Sequence, residues 1–309
     1  MGTPPPLEAL AHAGVPLGER DTNGCTPAHL ATTGSWHAAA LEALARADSP
    51  LGERDAQGRT PAHVAARNGH ASVVNALARA GAPLGERNAD GRTPTHIAAR
   101  CGHAAALKTL ARAGVSLGER EAHGRTPAHI AAQYGHTAAL KTLARAGVSL
   151  GEHEAHGRTP AHVAAQVGHA AVVDALAHAG APLGERDADG LTPAHLAAGN
   201  GQVPVLEALA RAGVPLGEHD AQGRTPAHVA ALNGHAAVAD ALARAGAPLG
   251  ERDADGRTPA HWAAGNGHAA ALETLARAGM SLGECDDNGR TPAHWAAAKG
   301  YAAVLEALD

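Results

Sequence analysis

Residues 55–87 read DAQGRTPAHVAARNGHASVVNALARAGAPLGER, and close variants of this stretch fill the 309-residue chain. Its Thr-Pro-Ala-His tetrapeptide, or Thr-Pro-Thr-His in the third case, starts at Thr26, Thr60, Thr93, Thr126, Thr159, Thr192, Thr225, Thr258 and Thr291. The first interval is 34 residues and the other seven are 33. Such a period is typical of stacked supersecondary units, so the pattern predicts a repeat array rather than one globular core.

Each repeat contains signals for two short helices. Thr60 suits an N-cap and Pro61 the first helical position, where no amide donor is needed. The pattern predicts a first helix over 62–68, ended by Gly69 in the left-handed region, and a second helix over 70–80. A long loop with a tight turn then leads into the next repeat.

Composition limits the classes of function. Phe is absent and only five residues are Trp or Tyr, so Ala, Leu and Val must fill thin layers between helices. A net charge of −5 argues against a general nucleic-acid binder, which needs a basic face. No apolar run is long enough to cross a bilayer, and the start is not a secretory signal. The scattered Cys25, Cys101 and Cys285 indicate reduced thiols, hence an intracellular, cytoplasmic protein, with the nucleus as the alternative.

The repeated Thr-Pro-x-His-x-Ala-Ala, the helix-ending Gly-His, the second helix and the Gly-Ala loop together resemble ankyrin repeats over about residues 7–309. The resemblance implies an all-α ankyrin-repeat solenoid of nine helix-turn-helix units plus an N-terminal half-repeat, with β-hairpin-like loops. It also implies that turns and first helices line a concave face that grips another protein. Gly85 and its equivalents stand where the family commonly carries a hydroxylated Asn, so that modification is not expected.

We predict one domain over 1–309, with a half-repeat helix near Leu7–Gly14. Its segments are 1–20 (N-terminal half-repeat), 21–54, 55–87, 88–120, 121–153, 154–186, 187–219, 220–252, 253–285 and 286–309 (truncated C-terminal repeat). The short ends predict either a fragment of a longer array or a neighbour that covers them.

Most of the 22 histidines fall into two repeated sets, which we interpret as structural. The tetrapeptide set is expected to bind loop backbone in the next repeat: His29, His63, His96, His129, His162, His195, His228, His261 and His294. The second set follows the helix-ending Gly or its equivalent and is expected to pack at the turn between helices: His37, His70, His103, His136, His169, His235 and His268.

Chemistry of other kinds has few candidates. His153 and His156 lie in one loop with Glu152 near them and His123 one repeat earlier, so a metal- or redox-responsive module is a remote alternative. Cys101 has His103 near it in sequence, but no pocket is implied. We therefore predict no enzyme activity, no cofactor and no metal.

The repeats differ from one another at a few positions. Residues 107–138 and 140–171 differ at only four of 32. Across the units the variation clusters in the turn and in the pair of residues before the helix-ending Gly, and Tyr134 is the only aromatic side chain in that pair. Residues that are not needed for packing can vary and so determine which partner protein is bound. The predicted partner-binding residues are therefore Arg100, Cys101, His123, Arg125, Gln133, Tyr134, His156, Arg158, Gln166 and Val167.

Two charged rows accompany these positions. One consists of the arginine that precedes the Thr in seven of the nine repeats, such as Arg59, and the other of the Leu-Gly-Glu carboxylate, such as Glu53; the opposite rows can pair. Two other side chains, Trp262 and Trp295, follow the tetrapeptide His and are expected to pack between first helices.

The predicted function is a non-catalytic protein–protein interaction scaffold that binds a protein partner through the concave face, as a subunit of a larger assembly. The alternative is an ankyrin-type effector or regulatory inhibitor that blocks or recruits an enzyme. Neither reading requires nucleic acid or direct membrane insertion.

Overall fold

The computed structural model describes residues 17–34 and 38–308, so the helix predicted near Leu7–Gly14 lies outside the described residues. In the described part of the chain all regular structure is helical, and the 18 helices come in successive pairs. In chain order they are α1 (Pro27–Ala31) and α2 (Ala38–Arg46), α3 (Pro61–Asn68) and α4 (Ala71–Arg79), α5 (Pro94–Arg100) and α6 (Ala104–Arg112), α7 (Pro127–Gln133) and α8 (Thr137–Arg145), α9 (Pro160–Val167) and α10 (Ala170–His178), α11 (Pro193–Gly199) and α12 (Val203–Arg211), α13 (Pro226–Leu232) and α14 (Ala236–Arg244), α15 (Pro259–Gly265) and α16 (Ala269–Arg277), α17 (Pro292–Lys299) and α18 (Ala302–Glu306).

The helices group into two compact units, residues 1–155 and 156–309, which we call unit 1 and unit 2. Within each unit, every first helix packs against the first helix of the next repeat, and every second helix against the next second helix. The predicted all-α solenoid of helix-turn-helix units is confirmed. The single-domain assignment and the repeat boundaries stay predictions.

Each first helix begins at the Thr-Pro step, as predicted. Thr60 has the extended backbone of an N-cap (φ −90°, ψ 166°) and Pro61 follows it in α3. The backbone N–H of Thr60 donates to Nδ1 of His63, at 3.1 Å, and the Thr60 hydroxyl lies 2.9 Å from the same nitrogen. A histidine ring thus does in the first turn what a Glu or Gln side chain does in an ordinary capping box.

The helices end close to the predicted residues. α3 stops at Asn68, and Gly69 follows in the left-handed region with φ of 72°. The second helix of that repeat, α4, is one residue shorter at each end than predicted, because His70 and Ala80 cap it.

Small side chains fill the layer between first helices, and leucines fill the layer between second helices. Ala98 and Ala99 of α5 are fully buried, as are Leu107 and Leu110 of α6. Alanine lets neighbouring helix backbones approach closely, which accounts for the near absence of large aromatic residues from this chain.

The predicted β-hairpin-like loops form tight turns, and the described residues contain no β-strand at these positions. The backbone N–H of Asp55 donates to the Arg59 carbonyl at 2.8 Å, and the N–H of Ala56 donates to the Asn23 carbonyl of the preceding repeat at 3.1 Å. Gly58 has a φ of 70°, and a Cβ there would lie 2.8 Å from the backbone nitrogen of Ala89. Glycine is therefore required by both the turn and the approach of the next repeat.

Candidate partner-binding surface

The tetrapeptide histidines tie each repeat to the next one. Nδ1 of His63 accepts from the Thr60 N–H, and its Nε2 lies 2.9 Å from the Arg92 carbonyl. A backbone N–H can only donate and a carbonyl can only accept, so the ring is the neutral tautomer with its proton on Nε2. The same bond to the next repeat's backbone is made by His29, His96, His162, His195, His228 and His261. The predicted role is confirmed for these seven.

Burial keeps several of these rings neutral. It lowers the pKa of His96 to about 4, although the ring's bond to the Arg125 carbonyl acts in the opposite direction. Burial also lowers the pKa of His63, His195, His228 and His261. Protonation of Nδ1 would remove the acceptor that receives the Thr amide, so the hydrogen-bonded fold favours the uncharged ring.

The second set of histidines reaches back to the preceding repeat. Nε2 of His103 lies 3.0 Å from the Arg67 carbonyl, and Nε2 of His136 lies 2.9 Å from the Arg100 carbonyl. These carbonyls lie at the C-terminal ends of α3 and α5, where no intrahelical donor is available to them. His37 of this set lies outside the described residues.

Replacing His162 by Ala is expected to destabilise unit 2 by about 1–3 kcal/mol, because it leaves the buried Thr159 amide without its acceptor and removes the Nε2 bond to the Leu191 carbonyl of the next repeat. His178→Ala is the control, since His178 is exposed and bonds only to Asp174 of its own helix. Urea unfolding of both variants measures the difference. Equal stabilities would show that the buried ring contributes nothing.

No group of three or more His, Cys, Asp or Glu within residues 17–34 and 38–308 is arranged to hold a metal ion. All three cysteines are free thiols. Burial and the nearby carboxylates of Asp21 and Asp55 raise the pKa of Cys25, the opposite of what an activated nucleophile needs.

A buried carboxylate organises the candidate surface in unit 1. The Glu121 side chain is only 1% exposed, and it accepts from Nε of Arg125 at 2.6 Å and from Nε of Arg92 at 3.0 Å. Burial alone would raise the pKa of Glu121, but these hydrogen bonds lower it to about 2. The predicted residues Gln133 and His123 belong to the same group: Gln133 Oε1 lies 3.2 Å from Arg125 Nη1, and His123 Nδ1 lies 3.3 Å from Glu121 Oε1.

Sequence reasoning missed Glu121, although a signal was available. The residue five positions before each Thr is acidic in eight of the nine repeats, with Asn88 as the exception. At Asp55 the carboxylate accepts from the backbone N–H groups of Gln57 and Arg59, so this position orders the turn as well as the arginine.

The charged rows pair in a different way from the one predicted. The arginine before the Thr pairs with the turn carboxylate, as Arg59 does with Asp55. The Leu-Gly-Glu row pairs instead with the arginine that follows Leu-Gly-Glu in the preceding repeat: Arg20 with Glu53, Arg54 with Glu86, Arg87 with Glu119, Arg120 with Glu152, and Arg186 with Glu218. The arginine that follows Leu-Gly-Glu, rather than the one before the Thr, therefore lies within ion-pair distance of the Leu-Gly-Glu carboxylate of the next repeat.

An exposed aromatic side chain lies beside this charged group. Tyr134 is 44% exposed and caps the end of α7. The Arg100 guanidinium lies 5.8 Å from the Tyr134 ring centroid, and the His136 ring stacks at 6.3 Å. Cys101 is half-buried and lines the same groove as Arg100. The structure therefore brings the six residues predicted in unit 1 into two adjoining groups.

Unit 2 holds the other four predicted residues in a similar arrangement. Arg158 places Nη1 3.2 Å from Gln166 Oε1 and Nε 3.3 Å from Asp187 Oδ2. Val167 is 46% exposed at the position equivalent to Tyr134. His156 contributes its carbonyl to the backbone of the next turn, as the acceptor for Ala188 N–H at 3.0 Å.

The two tryptophans of unit 2 pack against first helices, as predicted. Trp295 covers Gly265, where a Cβ would lie 2.8 Å from the ring, and Trp262 packs on the alanine-rich core. The Arg257 guanidinium lies 5.2 Å from both ring centroids. The indole N–H of Trp262 donates to Asp253 Oδ2 at 2.9 Å, so this polar group has its hydrogen-bond partner within the cluster.

The fold and the surface define the class of protein: stacked helix pairs whose variable side chains at the turns and first-helix ends are partly exposed. A family model described as ankyrin repeats (3 copies) matches residues 2–88, 37–121, 73–154, 114–187, 161–253 and 242–308. The chain belongs to the ankyrin repeat family, whose domains are generally protein-interaction modules.

Solved ankyrin domains resemble the chain in structure. The ankyrin repeat domain of Bcl-3, described as a unique member of the IkappaB protein family, is 27% identical with a TM-score of 0.62, over 71% of this chain and 99% of that one. The human ASB11 ankyrin repeat domain is 29% identical with a TM-score of 0.62, over 70% and 96%. No curated protein matches the chain in a sequence comparison. No described helix is long and apolar enough to cross a membrane.

Proposed function

We propose that this protein is a non-catalytic scaffold that binds a protein partner through the surface formed by the turns and the ends of the first helices. The observation that supports this most is the contrast between repeated and variable positions. The Thr and His of the tetrapeptide are buried in most repeats, as are the Ala and Leu that pack between helices, whereas the variable Tyr134 and Val167 are large apolar side chains left 44% and 46% exposed.

The chemistry of this surface suits a protein partner. Tyr and Arg are enriched among the residues that dominate protein–protein binding, and Arg100 and Tyr134 lie in contact. Arg125 and Arg158 are held in place by carboxylates and by Gln133 and Gln166, so little conformational entropy is lost when they bind. A surface of this chemistry suits a subunit of a larger assembly.

A regulatory role for this protein would use the same surface. An ankyrin-type effector or inhibitor would cover or recruit an enzyme through Tyr134 and its neighbours. The free thiols favour an intracellular, cytoplasmic setting for either role.

Tyr134→Ala is expected to weaken partner binding by about 1–2 kcal/mol or more, because it removes the exposed aromatic ring at the centre of the surface. The partner is first identified by a pull-down with mass spectrometry from the native source, and affinity is then measured by calorimetry. The thermal unfolding of the variant should change little, since the ring is largely outside the core.

Two variants serve as comparisons for that measurement. Lys141→Ala removes an exposed side chain from α8, the second helix of the same repeat, and should not change the affinity. Val167→Ala removes less apolar area at the equivalent position and should matter less than Tyr134→Ala. A partner that binds wild type and Tyr134→Ala equally would place the interface elsewhere.

A further inference from the structure

We propose, on the basis of the function above, that a groove in unit 1 binds an extended acidic segment of the partner protein, and that Arg67 and Arg100 are the residues that bind its carboxylates. The groove runs between the turns and the first-helix ends of two neighbouring repeats. Gln57 and Asn88 of the turns line it, as do Ile97 and the helix-end residues Arg67 and Arg100.

The charge that faces this groove is positive. Four arginines line it, together with one carboxylate, Asp90. Arg59 is already bound to the buried Asp55, and Arg92 to the buried Glu121, with Asp90 at 3.7 Å from Arg92 as well.

Arg67 and Arg100 differ from that pair. Both are exposed at the ends of their helices, and within the described part of the chain neither has a carboxylate at ion-pair distance. The only charge-specific contact of the Arg100 guanidinium in that part of the chain is the Tyr134 ring, which leaves its N–H groups available as a planar fork for a carboxylate.

The scaffold does not require arginine at this position. The equivalent residues of the other repeats carry no charge: Thr33, Gln133, Gln166, Gly199, Leu232, Gly265 and Ala298. A basic residue does interact favourably with a helix C-terminus, but seven repeats fold without one. In a chain of net charge −5, two adjacent unpaired arginines form a local positive site that selects an anionic partner segment.

The spacing of the repeats suggests how the acidic residues are arranged. Equivalent residues on packed helices lie about 8–10 Å apart. An extended polyproline II segment rises about 3.1 Å per residue and brings every third side chain to the same side, so residues i and i+3 are about 9 Å apart. The segment is therefore expected to carry Asp or Glu at i and i+3, followed by an apolar side chain against Tyr134.

The test uses the full chain and synthetic peptides. The probe is a 12-residue proline-rich peptide with Glu at every third position, and its comparison is the same peptide with Gln. Fluorescence anisotropy should detect the Glu peptide at low salt, with an affinity that falls as salt rises, and should detect little of the Gln peptide.

The double variant R67Q/R100Q is expected to weaken binding of the Glu peptide by about tenfold or more. R79Q/R112Q is the matched control, because it removes the same two charges from the ends of α4 and α6, outside the groove. That control should change the affinity less than about twofold.

The thiols give an independent readout. Bound Glu peptide should slow alkylation of Cys101 by iodoacetamide, because Cys101 lines the groove, while the exposed Cys285 of unit 2 reacts at an unchanged rate. Equal slowing of both thiols would indicate nonspecific association.

Several outcomes would overturn the inference. Among them are equal binding by the two double variants, and equally tight binding of a 12-nucleotide single-stranded DNA, which would indicate general polyanion attraction. If no peptide binds while a Tyr134-dependent protein partner is still captured, the acidic-segment inference fails and the proposed scaffold function stands. If the peptide binds as expected but Tyr134→Ala leaves partner affinity unchanged, the proposed interface is wrong and the anion site remains.

Discussion

Lowering the pH from 7 to 4.5 is expected to destabilise both units, through the buried tetrapeptide histidines. In the native state His96 has a pKa of about 4, whereas in the unfolded chain it is about 6.5. Below pH 6.5 the unfolded state therefore binds the proton and the native state does not. The stabilisation from the neutral ring is complete above pH 6.5 and falls by about 1.4 kcal/mol per pH unit down to about pH 4.

The loss of stability at low pH is expected to sum over the buried histidine rings of different repeats. Burial lowers the pKa of His63 in unit 1 and of His195, His228 and His261 in unit 2, so each unit loses stability in the same direction. His96 alone is expected to cost unit 1 on the order of 2–3 kcal/mol between pH 6.5 and 4.5, a large part of the stability of an ordinary domain. Thermal unfolding followed by circular dichroism at half-unit pH steps measures it.

Protonation of Glu121 does not contribute to the loss of stability expected between pH 6.5 and 4.5. Glu121 has a native pKa of about 2, so its contribution is complete above its unfolded value of 4.5 and is lost only as the pH falls from there towards 2. A His96→Asn variant should show a flatter profile between pH 6.5 and 4.5, whereas His178→Asn, at an exposed site, should keep the wild-type profile. A melting temperature that stays constant over that window would contradict the expected role of the rings.

Replacing Glu121 by Gln is expected to destabilise unit 1 by about 3–5 kcal/mol. The substitution keeps the shape of the side chain but removes the negative charge that Arg92 and Arg125 share. Both arginines are largely covered, with side chains 21% and 24% exposed, so they cannot recover that interaction fully from water. Chemical unfolding at pH 7 measures the loss.

Glu119→Gln is the matched control. Glu119 lies two residues away and also pairs with an arginine of the preceding repeat, Arg87, at 2.7 Å. Because those side chains are 43% and 45% exposed, the pair is screened by water and the expected cost is at most about 1 kcal/mol. The prediction fails if the two variants lose equal stability. It also fails if Glu121→Gln is as stable as wild type.

The repeat pattern was sufficient to predict the helices and the histidine bonds that join one repeat to the next. A residue that recurs every 33 positions meets the same neighbours each time, so the role of His63 could be inferred from its place after Thr60. The helix ends followed from Gly69 and Pro61, whose backbone preferences are local. The choice of Tyr134 as the exposed aromatic followed from its place at a variable position.

The ion pairs could not be obtained in the same way. Glu119 and Glu121 are the same residue type two positions apart, and only the path of the turn decides that one is buried and the other exposed. Which arginine reaches which carboxylate depends on side-chain direction across a repeat boundary. The sequence period does not contain that information, and so the partner of Glu53 was assigned to the wrong row.

The bond that seven of the tetrapeptide histidines make to the next repeat has a consequence for the ancestry of the chain. Its acceptor is a peptide carbonyl, so it does not depend on the acceptor's side chain: His63 uses the carbonyl of Arg92, while His162 uses that of Leu191. A gene segment copied or lost by unequal recombination would find its acceptors already in place. The array can thus grow or shorten by whole units while point mutations at the turn and helix end diversify its surface.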